Sequence, residues 1–335
     1  MKCTNRKFFI RIAYAVLTAS ILFILSGCGN RYVMPFDIEN PLSAYTLDSN
    51  LSMETAKPFA ADLCVAGGDI LPQGLAIPEG SVEGLFNRKE LKTEAAKGIF
   101  DRMNPASLTK IMTALIALKY GKLEDTLVAS KNVLITEPGA QVIPLKEGDS
   151  MTLDQALHAL LLYSANDVAV LIAEYISGSS EAFAELMNKE AKALGATTTN
   201  FVNPSGLTDE NHYTTAYDLY LIFNQAVGND KFVEIISTPE YSFTYYDAAG
   251  NTKELNVKNS NLYLEGSKTA PEGITVTGGK TGTTNAAGSC LILLAQNEQG
   301  TPFIAVVLNA AGKDELYGQM NLLLDQTHSK RSLSQ

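Results

Sequence analysis

Hydrophobic and polar positions divide this chain into segments of different period. Residues 12–25 are an uncharged, mostly apolar run of 14, shorter than the ~20 residues that a membrane-spanning helix needs. Residues 29–58 mix Asn, Ser, Pro, Asp and Thr without periodicity and read as a tether. AADLCVA at 60–66 reads as a first strand, the Gly- and Pro-bearing stretch 67–82 as a loop, and 85–89 as a second short strand. ASLTKIMTALIALKY at 106–120 is apolar nearly all round, which predicts a buried helix. Residues 152–230 carry a helical pattern, with Thr215 and Asp218 spaced as a capping box. Strands return at 274–284, 289–296 and 302–310, with a turn at 297–300, and a helix over 313–328 closes the pattern. There are no internal repeats. A strand–helix–strand chain with a helical insert predicts one α/β unit beside a second, helical lobe.

Composition adds limits. The 335 residues are 46% hydrophobic and 19% charged, an ordinary globular balance with ample material for a core. A net charge of −10 disfavours nucleic-acid binding. His158, His212 and His328 lie far apart and outside any HExxH pattern, so no metal site is implied. The amino-terminal run is preceded by Lys2, Arg6, Lys7 and Arg11 with no acid, the pattern of a secretory signal. It ends in Leu25-Ser26-Gly27-Cys28, which resembles the lipobox of bacterial lipoprotein signal peptides. That resemblance implies removal of residues 1–27, a diacylglyceryl group on Cys28, and a lipid-anchored protein on the outer face of the bacterial cytoplasmic membrane. An ordinary signal or uncleaved anchor is the rival reading. Loss of the four basic residues would take the net charge from −10 to −14. The expected organisation is a signal over 1–27, a tether over 28–57, a catalytic domain over 58–328 and a tail over 329–335. With Cys3 removed and Cys28 alkylated, Cys64 and Cys290 are expected as buried free thiols.

Three motifs carry candidate chemistry. Asn104 and Pro105 suit a helix start, which places Ser107 in a first turn where the dipole favours negative charge. Lys110, three residues on, shares its face. A hydroxyl becomes a nucleophile when a base takes its proton, and a lysine on an apolar helix is such a base because desolvation favours its neutral form. Alone the SxxK spacing is unspecific; roughly one is expected by chance in a chain this long. In Ser164-Ala165-Asn166 a hydroxyl can relay a proton while an amide orients a carbonyl, although such a serine also suits a helix cap. In Lys280-Thr281-Gly282-Thr283 a cation and hydroxyls on a strand can hold a carboxylate, and the glycine lets a substrate backbone lie close. A phosphate loop is excluded: Gly273 and Gly278 have its spacing, but Gly279 intervenes before Lys280.

Together, SxxK, SxN and KTG, with 57 and then 116 residues between their first members, resemble the penicillin-recognising serine enzymes. The intervening sequence is similar to the D-alanyl-D-alanine carboxypeptidase family: PASLTKIMTAL (105–115), SANDVAVLIAE (164–174), FAELMNKEAKALGATTTNFVNPSGL (183–207), YTTAYDL (213–219), GGKTGTTNAAGSCL (278–291) and VVLNA (306–310). The resemblance covers roughly residues 58–326. It implies a five-stranded antiparallel sheet with flanking helices beside an all-helical lobe, with the site between them. It further implies attack by Ser107 on the bond between two terminal D-alanines of a peptidoglycan stem peptide, with Lys110 as base and Ser164 as proton relay to the leaving amine. Asn166 would bind the substrate amide and Lys280 would support Ser164 and the substrate's charge. Thr281 and Thr283, beside Gly282, would contact its carboxylate, and the amides of Ser107 and Thr283 would form the oxyanion hole. No cofactor is implied. β-Lactams are implied as inhibitors, and the lipid on Cys28 as the tie to the membrane.

The segment 67–104 looks longer than usual for the family, and the basic residue expected after the last strand has no fixed position, with Lys313 a candidate. A related serine β-lactamase would need a glutamate to activate the deacylating water, and residues 191–209 contain none. The same motifs would also suit a DD-endopeptidase or a non-enzymatic wall-binding lipoprotein.

Overall fold

A computed structural model describes residues 60–327. The expected signal, Cys28, the tether and the tail lie outside the described residues, as does His328.

Nine strands form two antiparallel sheets among the described residues. The larger contains β1 (Val82–Asn87), β2 (Lys92–Lys97), β7 (Thr275–Thr284), β8 (Gly288–Gln296) and β9 (Pro302–Ala310), in the order β2-β1-β9-β8-β7. The apolar runs of β8 and β9 are unbroken because both faces are covered. Leu291, Leu293, Ala305 and Val307 pack with Leu316, Met320 and Leu323 of the closing helix Lys313–Asp325. Their neighbours Ile292, Leu294, Ile304 and Val306 join the main core with Ile111, Met112 and Tyr220. This is the period-two division of a strand between two faces.

The first strand departs from expectation. Residues 60–66 make only an isolated bridge, Val65 to Lys92, because side chains take their backbone groups. Cys64 N donates to the Tyr220 hydroxyl at 2.9 Å, and the Tyr217 hydroxyl donates to Cys64 O at 2.9 Å. The strand expected at 85–89 is β1, starting three residues earlier, and it turns into an unexpected partner, β2. Asn87 Oδ1 holds that turn by accepting from the amides of Lys89 and Glu90. β2 is an edge strand, so its charged residues obscure the alternation.

The insert is helical, with one addition. The helices Leu153–His158, Asn166–Ser177, Ser180–Ala193, Ala216–Ala226 and Asp230–Ser237 surround Thr109–Tyr120. A four-stranded sheet, β3 (Thr126–Val128), β4 (Ser150–Thr152), β5 (Glu240–Tyr246) and β6 (Thr252–Lys258), accompanies them. The second lobe is therefore not all-helical; the alternating Tyr241, Phe243 and Tyr245 were the signal for β5. The helical pattern over 152–230 is also interrupted by an irregular segment at 194–215. Thr215 accepts from the Asp218 amide as expected, but the Asp218 carboxylate bonds Thr198 and Thr199 and so ties down that segment. Cys64 and Cys290 are buried and free.

Candidate active site

Asn104 Oδ1 accepts from the Ala106 amide at 3.1 Å, and Pro105 leads into a 3₁₀ turn, Ala106–Leu108. That turn runs into the helix Thr109–Tyr120. Ser107 therefore sits where the sequence placed it, with Lys110 on the same face: their Oγ and Nζ are 3.0 Å apart. Lys110 is fully buried. Its nitrogen also contacts Asn166 Oδ1 at 2.7 Å and Ser205 O at 2.6 Å. A neutral amine has two hydrogens and one lone pair. Two acceptors and a hydroxyl match that count, so the lone pair is free to take the Ser107 proton. Burial, then the nearby Lys280 charge, push Lys110 well below the ordinary lysine range, against the pull of Asp167.

Ser164 follows a turn widened to π geometry, Ala159–Tyr163, and is left-handed with φ 70°. Such a backbone is unfavourable for a residue with a side chain and clusters at functional sites. Asn166 opens the next helix, and its amide donates to Gln141 O at 2.8 Å. Asp167 is buried and accepts from the amides of Ile143, Leu145 and Val168, which pins the loop 137–145 against the site.

Lys280 lies on β7, the edge strand of the larger sheet, and is 1% exposed. It donates to Ser164 Oγ at 3.1 Å and to Thr281 O at 2.9 Å. Burial lowers its pKa to about 7. Thr281 shares its hydroxyl with Ser260 at 2.6 Å. A Cβ added at Gly282 would lie 3.0 Å from Ser107 N, tighter than an ordinary contact, so glycine lets β7 lie close against the Ser107 turn.

These groups line one cleft of about 780 Å³ that includes Ser107, Ser164, Asn166, Thr281, Gly282 and Thr283. Tyr163, Lys258 and Lys313 border the same space. The structure thus brings every candidate residue of the three motifs to one place. Sequence reasoning missed Ser205, Ser260, Gln141 and Asp167. Asp167 was adjacent to a motif and Ser205 sits in the quoted NPSGL run, whereas Ser260 lay in a stretch with no pattern assigned. The arrangement can perform acyl transfer: an activated hydroxyl, a second hydroxyl beside a cation, and a strand edge to hold a peptide.

Comparison with known proteins agrees with that chemistry. The sequence profile of the D-alanyl-D-alanine carboxypeptidase family, peptidase family S11, matches residues 92–312. The carboxypeptidase DacF of Bacillus subtilis is 34% identical over 249 residues, which is 73% of this chain and 61% of that protein. DacC of Escherichia coli is 34% identical over 219 residues, 63% of this chain and 51% of that protein. The chain thus spans between half and about three fifths of the length of these two relatives. Among solved structures, a Streptomyces DD-transpeptidase superposes with a TM-score of 0.66 at 26% identity, covering 73% of this chain and 95% of that one. A Mycobacterium tuberculosis D-alanyl-D-alanine carboxypeptidase gives 0.66 at 29% identity, covering 77% and 95%. With two thirds of its length matched by the family profile and the three motifs converging on one cleft, this chain belongs to the D-alanyl-D-alanine carboxypeptidase family.

Proposed function

We propose that this protein is a serine-type D-alanyl-D-alanine carboxypeptidase that removes the terminal D-alanine from peptidoglycan stem pentapeptides. The observation that carries this reading is the pair of buried lysines, each within hydrogen-bond reach of a different cleft serine. Lys110 takes the Ser107 proton as Oγ attacks the carbonyl carbon of the D-Ala–D-Ala bond. Negative charge on the carbonyl oxygen is met by the amides of Ser107 and Thr283. Ser164, with Lys280 behind it, relays that proton from Lys110 to the leaving amine, the C–N bond breaks and D-alanine departs. Water then cleaves the ester, its hydroxyl going to the acyl carbon and its remaining proton, by way of Lys110, to Ser107 Oγ. Asn166 orients the substrate amide, and Thr281 and Thr283 receive the terminal carboxylate. The segment 203–208 beside the cleft presents Gly206, Leu207 and Thr208 and holds no carboxylate; the acids that line the cleft, Glu137 and Glu265, stand on other segments.

Incubation with a stem pentapeptide, with products weighed, tests the reading. The expected result is loss of one alanine unit, and a penicillin adduct on Ser107 that persists for minutes. Cleavage only of cross-linked peptides would make the protein an endopeptidase, and rapid penicillin turnover without D-alanine release would make it a β-lactamase. We further infer from the Leu25–Cys28 box that the protein is exported and held to the membrane by a lipid on Cys28. Cys28→Ala should release it to the soluble fraction; an intact Met1 in mature protein would overturn this.

A further inference from the structure

Behind the nucleophile lies a hydrogen-bonded chain that no step above uses. Ala106 has φ 47°, a left-handed backbone in a residue other than glycine, directly before Ser107. Its carbonyl oxygen accepts from the Thr109 hydroxyl at 2.8 Å and from the Thr109 amide. That hydroxyl is in turn 2.8 Å from His212 Nε2. The Val202 amide donates to His212 Nδ1 at 3.2 Å, so Nδ1 carries a lone pair and the ring proton is on Nε2, donating to Thr109. Both residues are buried, His212 with the Phe201 ring edge-on to it. Burial lowers the His212 pKa to about 4 against the pull of Asp209, so the ring is neutral at physiological pH. On the other side Gly206 presses on the same carbonyl: a Cβ there would fall 1.8 Å from Ala106 O.

The Ala106–Ser107 peptide is trans and planar, so its C=O and N–H point in opposite directions. Whatever anchors the oxygen also aims the Ser107 amide. A hydrogen bond received by the carbonyl also polarises the peptide and strengthens its N–H as a donor. We propose that His212, acting through Thr109, is a positioning residue that holds the Ala106–Ser107 peptide plane so that the Ser107 amide points at the developing oxyanion. This inference rests on the acyl-transfer reading above. It places the histidine outside proton transfer: its role is to keep one oxyanion donor from rotating away, which matters more in the transition state than in substrate binding.

Stopped-flow acylation by a fluorescent penicillin separates the pre-covalent dissociation constant from the acylation rate constant. If the unmodified protein forms no adduct at Ser107, the acyl-transfer reading itself fails. Given acylation, Thr109→Val, which keeps shape and loses the hydroxyl, should slow the acylation step at least tenfold while the pre-covalent constant moves less than threefold. Thr109→Ser should recover most of that loss. An acylation rate in Thr109→Val equal to that of the unmodified protein, or Thr109→Ser as slow as Thr109→Val, would overturn the proposal. Should the valine variant not fold, His212→Gln and His212→Asn read the same point. Glutamine reaches the position of Nε2 and can donate to Thr109; asparagine reaches only that of Nδ1. Glutamine should be at least tenfold faster in acylation, and equal rates would overturn the proposal.

Discussion

Ser107 and Lys110 stand three residues apart on one helical turn, whereas Ser164 and Lys280 are 116 residues apart in sequence and meet across the cleft. Both pairs join a hydroxyl to a buried lysine, and both involve a left-handed residue, Ala106 in one and Ser164 itself in the other. They differ in how the lysine is satisfied. Lys110 has three oxygen partners and burial that holds it well below the ordinary range; Lys280 has two, and burial brings it to about 7. The comparison teaches that one kind of pair can serve two ends. On the proposed mechanism, a lysine held neutral accepts a proton, and one poised near neutrality serves as a cation beside a relay.

The sharpest test removes each hydroxyl in turn. Ser107→Ala should abolish covalent penicillin labelling and D-alanine release, with a melting temperature within a few degrees of the parent. Ser164→Ala should still label, more slowly by roughly 10²–10⁴-fold, the range of a lost proton-transfer group. Equal loss in both variants would break the distinction between nucleophile and relay.

A pH profile tests the two lysines. The proposed mechanism needs Lys110 neutral and Lys280 charged. kcat/KM should therefore rise with pH as Lys110 loses its proton and fall as pH passes about 7 and Lys280 loses its own. Lys280→Arg, which stays charged, should be slower by about tenfold and should lack the descending limb near 7. Retention of that limb in the arginine variant would assign it to another group.

The scaffold around Ser164 gives a smaller effect. Asp167→Ala leaves the amides of Ile143, Leu145 and Val168 without their acceptor, at about 1–3 kcal/mol for each that stays buried and unpaired. The expected result is a lower melting temperature and a raised KM, with kcat less affected; an unchanged KM would show that the loop 137–145 does not shape the cleft.

The smallest effect lies outside the cleft and calibrates the other two groups. Glu83 on β1 is fully buried, its Oε2 has no hydrogen-bond partner, and burial raises its pKa to about 7. Between pH 4.5 and 7 the folded protein keeps a proton that the unfolded chain has released, so stability falls as pH rises through that window. Glu83→Gln should flatten this slope and stabilise the protein above pH 7 by about 1–3 kcal/mol, read by denaturant titration at several pH values. Activity should follow the parent.

Much of this was legible in the sequence because the signals are local. The strands β7, β8 and β9, the closing helix and the buried nucleophile helix follow from apolar runs with turn residues between them. β2 and the β5–β6 hairpin were missed because their faces are half exposed and mixed in polarity. Residues 60–66 were read as a strand because apolar content reports burial and not the hydrogen-bond partner, which here is a pair of tyrosine hydroxyls.

The sequence by itself determined that Ser107 and Lys110 meet, since three residues along a helix fix two side chains on one face. It also determined which residue types were available for the second pair. Only the tertiary structure decided that Lys280 meets Ser164, that Ser205 and Asn166 complete the shell of Lys110, and that His212 stands behind the peptide of Ser107. Those contacts join segments tens of residues or more apart. The packing of the two core layers sets them, and so does the burial that shifts the lysines, and neither is written in any local period.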